Sequence, residues 1–245
     1  MPRVFVPPEA VSHETILIND AGTVRHLMRV LRLRAGDRLE CCDGTGRVYV
    51  GTVTRVAERA LHVAVERQRT EAPPQPPVTL AQALIKPDRF EWMLEKATEL
   101  GVARILPLIT ARTTIRHPSA VGSARVARWR RILEAASAQC VRSIVPSLET
   151  PQRFEDVVTS LQATCALLPT LAEESPPLNH YLPEVSAATH VDLLIGPEGD
   201  FTPEELRLAK QHGVRTTWLG RSTLRSETAA IATLTLIQHA VGVLP

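Results

Sequence analysis

The chain has 245 residues, room for two domains of ordinary size. Hydrophobic residues make up 44% and charged residues 22%, the balance of a globular protein, and no uninterrupted apolar run is long enough to span a bilayer. A net charge of only +2 names no partner, but residues 1–70 hold 11 Arg against 8 acidic residues and are net positive, while the remainder is slightly acidic. The N-terminal stretch MPRVFVPPEA has no apolar signal core, which argues against secretion. Cys41, Cys42, Cys140 and Cys165 are spaced for neither a zinc site nor a disulfide framework, so no metal site is expected and a reduced, cytoplasmic setting is.

Strand patterns come first along the chain. Residues 14–19 (ETILIN), 37–44 (DRLECCDG), 47–57 (RVYVGTVTRVA) and 60–66 (ALHVAVE) are β-rich and alternate polar with apolar side chains. Asp43-Gly44 marks a hairpin turn between two of them. One helix is predicted over residues 20–33, with Val24, Leu27, Met28 and Leu31 on one face and Arg25, Arg29 and Arg32 on the other. Residues 1–70 therefore read as a small β-barrel-like domain with a basic helix. Residues 71–77 (EAPPQPP) are mostly proline, which no helix or central strand tolerates, and make a stiff connector.

From residue 78 onward strands and helices alternate. A strand at 78–84 leads to a helix at 87–100, whose Phe90, Met93, Leu94, Ala97 and Leu100 form one stripe closed by Gly101. A strand at 102–109 leads to a helix at 124–139 with Val126, Trp129, Leu133 and Ala136 inward. After a short segment at 143–146 come a helix at 151–161 and strands at 165–169 and 191–195. A helix from Pro203, a strand at 214–220 and a helix from about Ser226 complete the series. Such alternation predicts an α/β domain over residues 78–245, its sheet mainly parallel and covered on both faces.

In such sheets ligands bind at the carboxyl ends of strands, so the loops there carry the functional interest. The loop Gly196-Pro197-Glu198-Gly199-Asp200 lies between an apolar strand and a helix whose start is fixed by the capping box Thr202-Pro203-Glu204-Glu205. Its glycines allow close backbone approach by a ligand. It matches neither the phosphate loop nor the dinucleotide glycine pattern. The second such loop, residues 221–228, carries Arg221 and Arg225 without any core reason to do so, and Ser226 can cap the helix that follows. Ala229, Ala230 and Ala232 leave room for close packing.

The segments KPDRFEWMLEKATELGV, IGPEGDFTPEEL and LGRSTLRSETA, in this order with RVFV and HLMRVLRLRAGDRLECCDGTG before them, resemble the 16S ribosomal RNA uracil-N3 methyltransferases of the SPOUT superfamily. The resemblance implies a PUA-like RNA-binding domain followed by a parallel-sheet domain with a C-terminal trefoil knot, a rare exception to the rule against knots. It also implies S-adenosylmethionine as cofactor, 16S rRNA or the small ribosomal subunit as partner, a homodimer, and no membrane. Carried over position by position, the cofactor contacts fall on Leu168, Pro169, Gly196, Pro197, Glu198, Gly199, Leu219, Gly220, Leu224, Arg225 and Ala229. The family pattern usually has glycine at position 200, an Arg-Ile pair at 222–223 and a Glu-Gln pair at 138–139; here stand Asp200, Ser222-Thr223 and Ala138-Gln139.

On this reading Arg225 would stabilise negative charge on a uracil carbonyl, and Glu198 would accept a proton or orient the cofactor. Arg25, Arg29 and Arg32 on the first helix, Lys86 and Arg89 at the start of the catalytic domain's first helix, and Arg142 beyond the middle helix would meet RNA. Two alternatives stand beside it: another knotted-fold RNA methyltransferase with a tRNA or ribose target, and a noncatalytic RNA-binding protein built on the PUA-like module.

Overall fold

The structure, a computed structural model, describes residues 1–12, 14–161, 164–171 and 175–244. The chain divides into two compact units. The first comprises Met1–Pro73 with Glu134–Val145, the second Pro74–Leu133 with Pro146–Pro245.

The first unit is a five-stranded sheet of β1 (Arg3–Phe5), β2 (Thr15–Ile18), β3 (Arg38–Cys42), β4 (Arg47–Ala57) and β5 (Ala60–Thr70), in the order β1-β3-β4-β5-β2. Only β1 and β3 run parallel. The long β4–β5 hairpin carries register shifts at Val50/Gly51 and Val53/Arg55, the kind of irregularity that bends a ribbon. At the first shift the Ala64 carbonyl crosses so close that a Cβ on Gly51 would lie 2.2 Å from it. Ile16, Ile18, Val24, Leu27, Leu39, Cys41, Val53, Leu61 and Val63 fill the inside. Burial pushes the Cys41 thiol up to about 12, with the neighbouring Cys42 adding to the effect. Asp43 folds the predicted hairpin turn through its Oδ1, which accepts from the Thr45 amide at 2.9 Å.

The helix expected at 20–33 is shorter and less regular. Asp20 caps α1 (Ala21–Arg25), accepting from the Thr23 amide at 2.8 Å. The chain then widens into a π turn over His26–Val30, where Leu31 N–H reaches the His26 carbonyl at 3.1 Å, and Arg32 turns left-handed at φ 55°. Arg32 lies beyond the last helical residue, Val30, so it does not continue the face of Arg25 and Arg29.

The second unit has β6 (Val78–Ala83), β7 (Arg104–Ile109), β8 (Ser147–Leu148), β9 (Gln152–Arg153), β10 (Cys165–Pro169), β11 (Val191–Ile195) and β12 (Arg215–Thr217). Their order is β12-β10-β11-β6-β7-β8, with β9 also on β7, and every pairing is parallel. Strands β6, β7, β10 and β11 are buried on both faces, as a covered parallel sheet requires. Helices α2 (Pro87–Glu99), α3 (Ser123–Gln139), α4 (Phe154–Thr159), α5 (Leu182–Ala187), α6 (Pro203–Gln211) and α7 (Ser226–Ala240) complete the chain. On α3, Trp129, Leu133 and Ala136 are buried as expected, and Trp129 packs against Phe90 of α2 with ring centroids 4.7 Å apart. Helix α5 is an addition to the expected series, and the helix expected at 151–161 forms only over Phe154–Thr159.

The strand expected at 214–220 ends at Thr217. Trp218 leaves the sheet because its N–H bonds the Pro176 carbonyl at 2.9 Å and its carbonyl accepts from Leu178 N–H at 3.1 Å. The end of β12 is thus gripped by segments on either side of the loop that leaves β10: Thr170 N–H also donates to the Thr217 carbonyl at 2.9 Å. Among the described residues no helix is long and apolar enough to cross a membrane.

Candidate active site

The carboxyl ends of β10, β11 and β12 face one cleft of about 220 Å³. Pro169, Thr170 and Leu171 enter it from β10, Ile195 to Glu198 and Asp200 from β11, and Trp218, Leu219 and Gly220 from β12. Ser222 to Ser226 and Ala229 close it. Of the cofactor positions named from sequence, all but Leu168 and Gly199 line this cleft. Leu168 points into the hydrophobic core beside Phe154 and Leu194, and a Cβ on Gly199 would face Arg112. Thr170, Leu171, Asp200, Trp218 and Ser226 are wall residues outside the position-by-position list of cofactor contacts. Thr170 and Leu171 directly follow a strand end that was selected, and that adjacency was the available signal.

The loop after β11 is held rigidly from several directions. Thr202 Oγ1 accepts from the Glu205 amide at 3.2 Å, and Glu205 Oε2 accepts from the Thr202 amide at 2.8 Å, which completes the expected capping box. The other oxygen of the buried Glu205 accepts from the Ala111 amide at 2.7 Å, so the same carboxylate also secures the loop after β7. Arg112 Nη1 donates to the carbonyls of Gly199 and, at 3.3 Å, Phe201. Gly196 is packed rather than merely flexible: a Cβ there would sit 3.0 Å from the Phe201 ring.

The expected cap at Ser226 is replaced by something else. Arg225 occupies the N-cap position of α7 and Ser226 is the first helical residue. Buried Ser226 donates through Oγ to the Gly196 carbonyl at 2.5 Å and accepts from Gln82 Nε2 at 2.8 Å. As the first helical residue Ser226 lies past the N-cap position, and its hydroxyl serves these two distant partners instead. Strand β6, the Gly196 loop and α7 are thereby joined by one buried polar chain.

The charged groups divide sharply. Glu227 is only 7% exposed in its side chain and accepts from Arg89 Nη1 at 2.6 Å. Arg225 is exposed, and no ion pair or side-chain hydrogen bond among the described residues engages it. Glu198 is likewise exposed on the cleft wall and has no ion pair or side-chain hydrogen bond among the described residues. Arg225, with Thr223 and Leu224, also lines a second cleft next to the first, shared with Asp88, Arg89, Trp92, Glu227 and Thr228. Lys86 is exposed at the start of α2. Arg25, Arg29 and Arg32 are exposed in the first unit. Arg142 also belongs to that unit but is half-buried, and burial pulls its guanidinium below the usual arginine range.

Loops from adjacent parallel strands enclosing one cleft with apolar walls, an exposed carboxylate and an exposed guanidinium define a ligand-binding α/β enzyme domain. Residues 72–238 match the model of the RNA methyltransferase domain, residues 18–66 match that of the RNA methyltransferase PUA domain, and the chain belongs to this RNA methyltransferase family. Similar proteins include Ribosomal RNA small subunit methyltransferase E of a Synechocystis species, 34% identical over 96% of this chain and 76% of that one. Its namesake from Mycobacterium bovis is 33% identical over 94% of this chain and 87% of its own. Among solved structures, a Legionella pneumophila methyltransferase in complex with the bound cofactor SAM shares 31% identity and superposes with a TM-score of 0.87 over 97% of both chains. Ribosomal RNA small subunit methyltransferase E from Neisseria gonorrhoeae, bound to S-adenosyl methionine, shares 26% identity with a TM-score of 0.85 over 98% of this chain and 97% of its own.

Proposed function

We propose that this protein is an S-adenosylmethionine-dependent ribosomal RNA methyltransferase that modifies N3 of a uridine in the 16S RNA of the small ribosomal subunit. The observation that carries the reading is the cleft over β10, β11 and β12, taken with similar proteins solved with this cofactor. The cleft's chemistry suits the cofactor. Leu171, Ile195, Leu219, Leu224 and Ala229 offer apolar surface to an adenine ring, glycine backbone at 196 and 220 allows close approach, and Glu198 offers a carboxylate to a cationic ligand.

When bound, S-adenosylmethionine supplies an electrophilic methyl group on a sulfonium. The chain's residues then have two tasks. Arg225, without a side-chain partner among the described residues and shared by both clefts, holds a uracil carbonyl as negative charge develops on the ring. Glu198 accepts the N3 proton or fixes the cofactor. Because N3 lies on the pairing edge, the base must be unpaired or extruded, at a cost of roughly a few kcal/mol. Contacts from residues 1–70 offset that cost: Arg25, Arg29 and Arg32 meet phosphates, with Lys86, Arg89 and Arg142 as further RNA contacts. On this reading 71–77 is the connector, 78–245 performs the transfer, and the working species is a cytoplasmic homodimer.

The test is to incubate the protein with labelled cofactor and small subunits lacking the modification, then map the modified base. A label on uracil N3 of 16S RNA supports the proposal. A label on tRNA or on ribose replaces the substrate, and failure of the protein to bind cofactor leaves an RNA-binding protein without this activity.

A further inference from the structure

We infer that Asp200 is a positioning residue that shapes the cofactor cleft by latching the loop after β11 to the loop after β10. The inference rests on the reading of that cleft as the cofactor site. Asp200 adopts φ 59°, a left-handed conformation that costs most L residues free energy and that aspartate tolerates better than most. Glycine would fit that backbone without strain, so the aspartate has to be explained by its side chain.

Both carboxylate oxygens are engaged. Oδ1 accepts from the Phe201 amide at 2.8 Å. Oδ2 accepts from the Thr170 hydroxyl at 2.8 Å and from the Leu171 amide at 2.9 Å, thirty residues away along the chain. Asp200, Thr170 and Leu171 all line the cleft. The latch therefore fixes one wall relative to another. It also determines where Leu171 stands: this side chain is 54% exposed, and with the exposed Trp218 it gives the rim two large apolar groups that a bound ligand would cover. Hydrogen bonds to an ionised acceptor are the strong kind, and three on one carboxylate preorganise the wall before the ligand arrives.

The experiment measures S-adenosylmethionine and S-adenosylhomocysteine binding by calorimetry on the full chain, with melting temperature alongside. Asp200→Asn keeps the shape and tolerates the backbone but presents a donor where an acceptor is needed. Asp200→Gly fits the backbone and lacks the carboxylate. Both should weaken binding about tenfold, while Asp200→Gly melts no lower than wild type. Thr170→Val should weaken binding too, and combined with Asp200→Asn should add less than its separate effect, because the two share one bond. In turnover assays KM for the cofactor should rise while kcat at saturation holds. Wild-type affinity in Asp200→Gly overturns the latch, as does strict additivity with Thr170→Val. If the wild-type chain binds neither ligand, the cofactor reading of the cleft is itself wrong and the latch falls with it.

Discussion

Gly196→Ala tests how tightly the cleft is built. One methyl group is added, and its carbon would lie 3.0 Å from Phe201 Cε2, 3.1 Å from Cδ2 and 3.4 Å from Asp200 Oδ1. Phe201 cannot swing aside freely. It is 3% exposed and packs against Phe154 with ring centroids 5.1 Å apart, and Phe154 is fully buried. Relief requires ring and loop to shift together by a few tenths of an ångström. Overpacking of this kind costs about 1–3 kcal/mol, and for a chain of this size each kcal/mol lowers Tm by roughly 2–4 °C. The expected loss is therefore roughly 2–12 °C by scanning calorimetry, accompanied by weaker S-adenosylmethionine binding, since a displaced Phe201 amide pulls on Asp200. Gly199→Ala is the control. Its methyl group would meet only Arg112, with Cδ at 3.3 Å, and the flexible stem of that exposed side chain can shift by a few tenths of an ångström while its guanidinium keeps the Gly199 and Phe201 carbonyls. That variant should melt within about 1–2 °C of wild type, in the range of surface changes. Equal melting of the two variants would refute the packing argument and return both glycines to the status of simple turn residues.

Arg225→Lys should cut the single-turnover methylation rate by about 100-fold, as for loss of an oxyanion donor, with the melting temperature unchanged because Arg225 has no structural partner among the described residues; normal turnover would remove it from the chemistry. Replacing Arg25, Arg29 and Arg32 together with Gln should reduce the slope of log K for RNA against log salt by roughly 0.7–0.9 per lost phosphate contact, and an unchanged slope would make these side chains merely solvated. Asp192 is buried, and burial raises its pKa against the opposing pull of His190, Thr79 and Arg104, so the fold favours its neutral form: the stability it lends is present at low pH and lost as pH rises. Asp192→Asn should accordingly melt above wild type at pH 8, with the gap closing towards pH 4; a variant less stable at pH 8 would show that the charged form is the one the fold supports.

The succession of strands and helices was legible because it rests on periodicity. The alternation at the start of 60–66 and the stripe from Phe90 to Ala97 each follow one rule of spacing, and the structure follows the same rule, whereas over 47–57 the register shifts leave Val48 to Gly51 buried in succession. Departures occur where something other than spacing decides. The π turn at His26–Val30 adds a residue to a turn, which no helical period announces. Strand β12 stops at Thr217 because Trp218 finds Pro176 and Leu178, partners forty residues away that no local pattern reveals. Helix α3 reads as one continuous amphipathic run, yet its residues from Glu134 onward group with the first unit and those before with the second. The amphipathic pattern says that a residue is buried but not which core buries it.

The site divides along the same line. Its loops were visible because glycine, proline and capping residues constrain backbone through their own chemistry, and Thr202 to Glu205 behave as that chemistry requires. What holds the loops in place was not visible, because it consists of polar side chains bonded across long sequence separations: Gln82 to Ser226, Ser226 to Gly196, Glu205 to Ala111, Asp200 to Thr170. Each such side chain has an ordinary local role that a sequence reading assigns first, as a helix cap for Ser226 or a turn residue for Asp200. Ser226 gives up the cap altogether, whereas Glu205 keeps its place in the capping box and adds the long-range bond with its second oxygen. A carboxylate has two oxygens and acceptor capacity for both tasks, while Ser226, one position past the N-cap, has a single oxygen aimed at Gly196 and Gln82. Where a loop must be held from two sides, a carboxylate can meet the local and the distant partner at once, and Asp200 does so at the mouth of the cleft.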